Sequence, residues 1–457
     1  MYQDLSYMRI PLPEDVLKLK SFGDFEGALK MIDHFLSKDI PQALRKRLEI
    51  EKEIIRVVSN DEYPYTYEEA LEIMSAHLKD FKEEELQYLK EISAADWIYI
   101  DGTVHFQRLF YDNLITTRPD LAARVMVEDA DGAQADEMNR KLLNDNIKYM
   151  KEHGGRSARI RIRATIKAKK EFEEVGRKVR VHLPVPKICQ QVSNIKILSS
   201  SPEITYIAPE DAPQRTVYFE TELQPDQEFM VEYAYDYHID YVELDPAKAA
   251  DEQPDFCLEE QAPHIVFTPY LRELRDELAG DETNPIILAR RFYDFVTTKV
   301  MYSYMREYFT LECIPEYCAV NQKGDCGVQA LLFITLCRMS GIPARWQSGL
   351  YATEYYTGCH DWSQFYAAPY GWVYADLSFG GRGWRSGNIE RWNYYFGNLD
   401  IFRMPANSEI QTEFMPEKKW LRGDPIDNQR GEFEYEDHGL LYSQLEVNQE
   451  LISMEEI

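Results

Sequence analysis

The chain has 457 residues, of which 44% are hydrophobic and 28% charged, a composition typical of globular domains with apolar interiors. This length exceeds what one hydrophobic core normally serves, so we expect more than one domain. The formal net charge of −28 argues against a nucleic acid partner, because phosphates are bound through Lys and Arg, which Asp and Glu outnumber by 79 to 51.

The chain carries no evident targeting signal. The first residues, MYQDLSYMRIPLPEDV, lack the basic region and apolar run of a secretory signal. No window approaches the roughly 18 to 20 apolar residues of a membrane span, so we expect no membrane association. The seven cysteines, an odd number, predict reduced thiols rather than a disulfide framework. We therefore expect a cytoplasmic protein.

Residues 1–150 show helical periodicity and no alternating strand pattern. Apolar residues recur at helical spacing in GDFEGALKMIDHFL and ALRKRLEIEKEIIRVV, and Thr66 with Glu69 forms a predicted capping box. Two similar segments, FEGALKM and YEEALEI, leave open a pair of helical repeats or a plain bundle. We predict a helical N-terminal region, and we regard it as the candidate surface for a protein partner.

Residues 156–242 change to a period of two, which predicts a β-sandwich. In residues 158–168 small and apolar residues alternate with basic and polar ones, as in a half-buried strand with a solvated basic face. The segments RKVRVHLPVP, NIKILSS, TVYFETEL and EFMVEYAYDY repeat this pattern. An acidic segment with two prolines, residues 242–256, predicts a linker.

The sequence KGDCG precedes a strongly apolar helix, VQALLFITLCRMS, which Gly341 and Pro343 end. Cys326 therefore lies in the first helical turn. The helix dipole and the unpaired N–H groups there favour a thiolate, the reactive form of cysteine, and they could also hold an oxyanion. This position predicts a nucleophile.

After this helix we predict a strand at residues 344–351, and two further strands follow it. One strand begins at His360, and the other ends at Asp376 after a turn that contains Pro369. In an antiparallel hairpin, His360 pairs with Asp376, which would hold the imidazole tautomer while the other ring nitrogen faces the thiol.

Three motifs in this order resemble the transglutaminase-like superfamily: GDCGVQALLFITLCRMSGIPARWQSG, HDWSQFY and GWVYADLSFGG. The resemblance implies an α+β fold in which a papain-like core over residues 256–425 follows the β-sandwich and precedes a C-terminal extension over residues 426–457. FVTTKVMYSYM fits the stretch upstream of the nucleophile, and HLPVP resembles the domain that often precedes the core in bacterial members.

The resemblance places the catalytic positions of the family on Cys326, His360 and Asp376. It implies an enzyme, a cysteine-dependent amide hydrolase or acyltransferase that forms a thioester on Cys326 with a protein or peptide substrate. The resemblance does not choose between peptidase, amidase and transglutaminase activity. The alternative is an inactive scaffold that serves as an interaction module. Asp361 follows the histidine where many members have a small or apolar residue, which leaves the substrate preference open.

Aromatic residues near these motifs are candidates for substrate binding: Trp346, Trp362, Tyr302 and Tyr304. For both tryptophans, packing in the core is the competing interpretation. The other cysteines form no C-x-x-C pair, and no histidine spacing suggests a metal site. We therefore expect neither a metal nor a cofactor.

Overall fold

A computed structural model of the chain describes residues 5–126, 130–250 and 252–457. Residues 1–4, 127–129 and 251, which belong to the predicted signal-free N-terminus, helical region and linker, lie outside the described residues. The chain divides into two units. The smaller unit comprises Tyr2–Ala130 and Tyr302–Glu312, and the larger comprises Asp131–Met301 and Cys313–Ile457.

The smaller unit is largely helical, as its periodicity predicts. Its helices are α1 (Glu14–Ser21), α2 (Phe25–Leu36), α3 (Gln42–Val57), α4 (Tyr67–His77), α5 (Glu83–Glu91), α6 (Phe110–Thr117) and α7 (Pro119–Ala122). Helices α1 to α3 pack around one apolar cluster, and α4 to α6 around another. The two similar segments begin α2 and α4, and therefore belong to different clusters. The capping box is confirmed, because Thr66 and Glu69 cap each other's backbone N–H at the start of α4.

A small sheet interrupts these helices, and the prediction that residues 1–150 contain no strands is wrong there. Its strands are β1 (Tyr65–Thr66), β2 (Trp97–Ile100) and β3 (Thr103–Phe106) in the order β1-β3-β2. Asp101 and Gly102 join β2 to β3 with φ values of 47° and 87°. Two consecutive positive φ angles are what a tight two-residue hairpin requires, and Asp-Gly is a strong sequence signal for it.

The larger unit begins with a long helix and contains most of the strands. Its helices are α8 (Ala130–His153), α9 (Pro269–Ala279), α10 (Pro285–Lys299), α11 (Ile314–Asn321), α12 (Cys326–Met339), α13 (Leu377–Arg385) and α14 (Ile389–Tyr394). The remaining strands, in chain order, are β4 (Gly155–Ala168), β5 (Lys178–Pro184), β6 (Val192–Ser201), β7 (Tyr206–Ile207), β8 (Thr216–Glu222), β9 (Phe229–Asp240), β10 (Met301–Tyr302), β11 (Lys323–Gly324), β12 (Ala344–Ala352), β13 (Thr357–Ala367), β14 (Gly371–Ala375), β15 (Phe396–Gly397), β16 (Arg403–Asn407), β17 (Glu432–Tyr435) and β18 (Leu445–Glu456).

Two four-stranded sheets, β17-β5-β8-β7 and β18-β4-β9-β6, lie where the sequence predicts a sandwich. The alternation in β4 buries Ile160, Ile162 and Ile166 in the interior of the larger unit. The basic residues between them pair with carboxylates on neighbouring strands and loops, so this face is solvated and balanced in charge. The pairs are Arg159–Asp236, Arg161–Glu232, Arg163–Glu232 and Lys167–Asp226.

The C-terminal residues do not form a separate extension, which corrects the prediction for residues 426–457. Strand β17 is an edge strand beside β5, and β18 pairs along nearly its whole length with β4. Each sheet of the sandwich thus takes a strand from the far end of the chain. Such non-local pairing leaves no periodic mark near β4 or β5 in the sequence.

A five-stranded sheet, β15-β14-β13-β12-β16, forms the centre of the α+β part of the larger unit. Helix α12 covers one face, where the rings of Phe333 and Phe365 lie 5.8 Å apart. The opposite face joins the sandwich interior, because Trp362 and Tyr351 belong to the same buried cluster as Tyr235 of β9. Strand β13 therefore has a helix on one side and the sandwich on the other. Within the described ranges, we find no helix whose length and apolar character would let it cross a lipid bilayer.

Candidate active site

Helix α12 begins at Cys326, as the sequence predicts. Asp325 caps it, accepting a hydrogen bond from the Val328 N–H at 3.3 Å. The side-chain amide of Gln329 donates to the Gly324 carbonyl at 2.8 Å and fixes the segment in front of the helix. Cys326 is partly exposed at this end. The first turn thus presents a thiol beside backbone N–H groups that have no partner within the helix.

His360 and Asp376 are in direct contact, with Nε2 and Oδ2 2.8 Å apart and both residues buried. The observed register of β13 against β14 differs from the predicted one by two residues. Ser363 lies opposite Ala375, so the register extended by one residue sets Trp362, not His360, opposite Asp376. The two side chains meet as diagonal neighbours across the strands. Asp376 also caps α13, where its Oδ1 accepts the Phe379 N–H at 2.9 Å.

A buried arginine, which the sequence analysis missed, completes this arrangement. Arg403 of β16 places Nη1 2.9 Å from Asp376 Oδ2, and it also pairs with Asp400. Burial alone would raise the pKa of Asp376, but His360 and Arg403 together lower it to about 2. Asp376 is therefore an ionised acceptor for the imidazole at all ordinary pH values. No local motif marks Arg403, although Asp400 three residues earlier hints at a pair.

Residues 272–377 match the protein family described as the transglutaminase-like superfamily. The larger unit contains a transglutaminase-like core. The match includes Cys326, His360 and Asp376. A comparison with curated proteins finds no match.

Solved structures give a loose likeness only. A protein from Cytophaga hutchinsonii, provisionally named a cysteine protease, has 14% identity and a TM-score of 0.40, covering 66% of this chain and 98% of its own. The periplasmic domain of TgpA from Pseudomonas aeruginosa has 14% identity and a TM-score of 0.29, covering 55% of this chain and 96% of its own.

Within the transglutaminase-like core, the thiol of Cys326 donates to Asp361 Oδ2 at 3.3 Å. Successive residues of a strand point to opposite faces, so His360 and Asp361 diverge. Ser363, two residues on, donates to the Ala330 carbonyl of α12, which places Asp361 on the helix side. His360 lies on the other side with Arg403 and Trp362. Among the hydrogen bonds of the described residues, the thiol is thus joined to Asp361, and the expected contact with the imidazole is not formed.

Asp361 belongs to a group of acidic side chains next to the thiol. Burial, with the Asp325 carboxylate beside it, raises the pKa of Asp361 to about 7. Asp427 contacts Asp361, and burial with Asp424 nearby raises the pKa of Asp427 well above its usual range. The Gln429 amide donates to Asp361 Oδ1 at 2.6 Å and to the His360 carbonyl at 3.0 Å.

These carboxyl groups change the expected state of the nucleophile. Burial raises the pKa of the Cys326 thiol well above its usual range, and Asp361 and Asp325 raise it further. The sequence predicts a thiolate stabilised by the helix N-terminus, whereas in the structure burial, together with neighbouring negative charge, outweighs that effect. Cys326 at rest is a thiol, so any attack by its sulfur would require a group that accepts the proton.

The two tryptophans proposed for substrate binding are buried. Trp362 donates from its indole to Gln347 Oε1 at 2.7 Å and packs in the sandwich interior. Trp346 is on β12, directly opposite Ser363. Neither ring is exposed enough to line a cleft, so the structure corrects that expectation in favour of core packing.

Tyr302 and Tyr304 belong to the smaller unit, although they precede α12 closely in sequence. Their rings contact each other edge to face at 5.6 Å. The Asn113 side chain exchanges two hydrogen bonds with the backbone of Tyr304. A substrate role for these tyrosines stays a prediction. The described part of the chain has no cluster of three or more His, Cys, Asp or Glu residues suited to a metal ion.

Proposed function

We propose that this protein is a cysteine-dependent amide hydrolase or acyltransferase that acts through a thioester on Cys326. The observation that carries the proposal is the buried His360–Asp376 pair, 2.8 Å apart, on the strand that also contacts the nucleophile. An imidazole held by an ionised carboxylate is the usual acid–base partner of an activated cysteine. Arg403 contacts the same oxygen of that carboxylate.

In this mechanism the sulfur of Cys326 attacks an amide carbonyl carbon, and the backbone N–H groups of the first turn of α12 stabilise the oxyanion. His360 supplies a proton to the leaving amine and later assists the group that resolves the thioester. Water as acceptor gives a peptidase or amidase, and an amine gives a transglutaminase. We favour hydrolysis.

The test uses p-nitrophenyl acetate as an acyl donor, with intact-mass and peptide-mapping detection. We expect a burst of p-nitrophenol and an acetyl group on Cys326 that Cys326→Ala abolishes. His360→Ala should slow the turnover that follows the burst by about 10² to 10⁴, because the group that resolves the thioester then lacks its base. Addition of a primary amine then separates the outcomes, because an amine acceptor yields an acetamide and hydrolysis yields acetate. Labelling of Cys326 no faster than that of Cys359 would overturn the proposal.

A second candidate, an inactive transglutaminase-like scaffold, has one observation in its favour. The Cys326 thiol is bonded to Asp361, whose charge opposes the formation of a thiolate. In a scaffold, the smaller unit would supply the binding surface for a partner. This candidate predicts that Cys326→Ala leaves partner binding unchanged.

We further propose a protein or peptide substrate, a bacterial source and a cytoplasmic location, with neither nucleic acid nor membrane as a partner. Support for the cytoplasm comes from the cysteines, since the described residues contain thiols and no disulfide. The negative net charge of −28 supports the exclusion of nucleic acid.

A further inference from the structure

We infer that Asp361 is a catalytic residue whose carboxylate accepts the proton of the Cys326 thiol when the sulfur attacks. The inference rests on the proposed function and assigns a step in it to a residue outside the predicted triad. Asp361 Oδ2 is the hydrogen-bond acceptor of the reacting sulfur, at 3.3 Å. It is therefore the group in contact with the proton that must leave.

The surroundings hold Asp361 in this position. The Gln429 amide donates to Oδ1 at 2.6 Å, which leaves Oδ2 directed at the thiol. The same amide group donates to the His360 carbonyl at 3.0 Å, so it also fixes the backbone of β13 at this point. Asp361 itself is almost fully buried. A buried carboxylate with one oxygen anchored and the other on the sulfur needs little reorganisation to accept a proton.

The groups that face Asp361 come from three elements. Asp325 and Cys326 lie at the start of α12, and Asp424 and Asp427 lie on the segment between β16 and β17. Ser348, opposite Asp361 on β12, donates to Asp427. Apart from the Cys326 thiol and the thiol of Cys359 on the same strand, these titrating neighbours are carboxyl groups. Their combined charge makes Asp361 a stronger base than an isolated carboxylate.

Strand geometry gives His360 a separate task. Asp361 faces α12, while His360 faces Asp376 and Arg403, so the two residues can act on different protons. In acylation the S–H bond breaks and its proton passes to Asp361 Oδ2. The sulfur–carbon bond forms at the same time, as the π electrons of the carbonyl group move to its oxygen. When the carbonyl re-forms, the C–N bond breaks and the leaving nitrogen takes a proton from His360.

Deacylation returns both protons. An attacking water gives one proton to His360 as its oxygen bonds to the thioester carbon. The C–S bond then breaks, and the departing sulfur recovers the proton from Asp361. The enzyme ends in its starting state, because the sulfur and the imidazole have regained the protons they gave up and Asp361 is again a carboxylate.

The test measures the rate of alkylation of Cys326 by iodoacetamide from pH 5 to pH 9 in the full-length protein, with peptide mapping. In the wild-type protein we expect the rate to rise through about pH 7, where Asp361 ionises, and then to level off. Asp361→Asn should lose this step, because no carboxylate then accepts the thiol proton and the rate follows the titration of the thiol alone. Asp361→Glu, which restores a carboxyl group, should recover the step.

Two controls separate this inference from the proposed function. Asp424→Asn keeps the thiol–Asp361 contact and should retain the step. His360→Ala should also retain it, while it slows the release of acetate that follows the acetyl-transfer burst. If the step vanishes in His360→Ala and survives in Asp361→Asn, the imidazole is the proton acceptor and the inference fails, but the proposed function stands. If Cys326 in the wild-type protein reacts no faster than Cys359 at any pH, both fail.

Discussion

Arg403 and Asp376 form a fully buried ion pair, with Nη1 and Oδ2 2.9 Å apart. Asp400 shares the guanidinium, so one cation compensates two carboxylates in the interior of the larger unit. Two parts of the chain, the end of β14 and the start of β16, meet at this pair. The pair thereby couples the stability of the fold to the orientation of His360.

Replacement of Arg403 by Met should destabilise the protein strongly, because it leaves two buried carboxylates without a cation. We expect a loss of about 3 to 5 kcal/mol in the free energy of unfolding, measured by urea denaturation. Arg403→Lys should recover only part of this, since an ammonium cannot bridge both carboxylates as a planar guanidinium does. Arg345→Met is the control, because Arg345 lies over the ring of Trp372 and makes no ion pair with Asp376. Equal losses of unfolding free energy for Arg345→Met and Arg403→Met would contradict the stabilising role of the Arg403 ion pairs.

The unusual ionisation of Asp361 predicts a pH-dependent stability. Burial and Asp325 raise its pKa to about 7 in the folded protein, well above that of a carboxyl in an unfolded chain. Between about pH 4 and pH 7 the folded state holds a proton that the unfolded state has lost, so stability falls as the pH rises through this window. Asp361→Asn removes the effect. The variant should exceed the wild type by on the order of 1 to 3 kcal/mol at pH 8, with a smaller difference at pH 5.

Urea denaturation at the two pH values measures this difference. Asp437→Asn is the matched control, because Asp437 is exposed and its pKa is lowered by His438 and Arg177 to about 2. It should gain no stability at pH 8. If Asp361→Asn is less stable than the wild type at pH 8, favourable contacts of the carboxylate outweigh the free-energy cost of burying its charge. If Asp361→Asn is more stable but its Cys326 is alkylated more slowly, the carboxylate lowers the stability of the fold while it raises the reactivity of the thiol.

Local sequence patterns predict the parts of the site that local structure determines. Helix α12 begins and ends where the flanking Asp325 and Gly341 indicate, and His360 meets Asp376 because both lie on strands joined by a short turn. Arg403 and Gln429 reach the site from segments that are distant in sequence, and no periodicity relates them to Cys326. Local patterns also do not predict where β17 and β18 pair, since the partner of each strand depends on the assembled sheets.

One expectation failed for an electrostatic reason. A helix N-terminus predicts a thiolate at Cys326, but that effect amounts to a fraction of a unit charge. Burial raises the pKa of the thiol, and Asp361 and Asp325 raise it further. The sequence shows that Asp361 departs from the family pattern. Only the alternation of side chains along β13 shows that it faces the sulfur.

Asn113 is expected to hold the segment of residues 302–312 in the smaller unit. Its amide donates to the Tyr304 carbonyl at 3.0 Å, and its oxygen accepts the Tyr304 N–H at 2.7 Å. Asn113→Ala removes both hydrogen bonds from the Tyr304 backbone, at a cost of about 0.5 to 1.5 kcal/mol for each bond. We expect trypsin to cleave after Arg306 faster than in the wild type, because Arg306 otherwise binds the Tyr63 hydroxyl within the same unit.

Mass spectrometry of timed digests gives the cleavage rate at Arg306. Asn60→Ala, a change at an exposed position of the same unit, should leave this rate unchanged. Similar cleavage of the wild-type and Asn113→Ala proteins would mean that other contacts of the segment suffice to hold it.

Removal of residues 445–457 should disrupt the sandwich, even though a terminal segment often tolerates deletion. Strand β18 pairs with β4 from Leu445 opposite Ala168 to Glu456 opposite Ala158. Its loss exposes the N–H and C=O groups of a long, apolar strand, which then offers an edge for association between chains. We expect a lower melting temperature and aggregates in size-exclusion chromatography. Deletion of Ile457 alone, which is exposed, should change neither property. A truncated protein that melts and elutes like the wild type would show that β4 is stable as an edge strand, and that β18 only covers it.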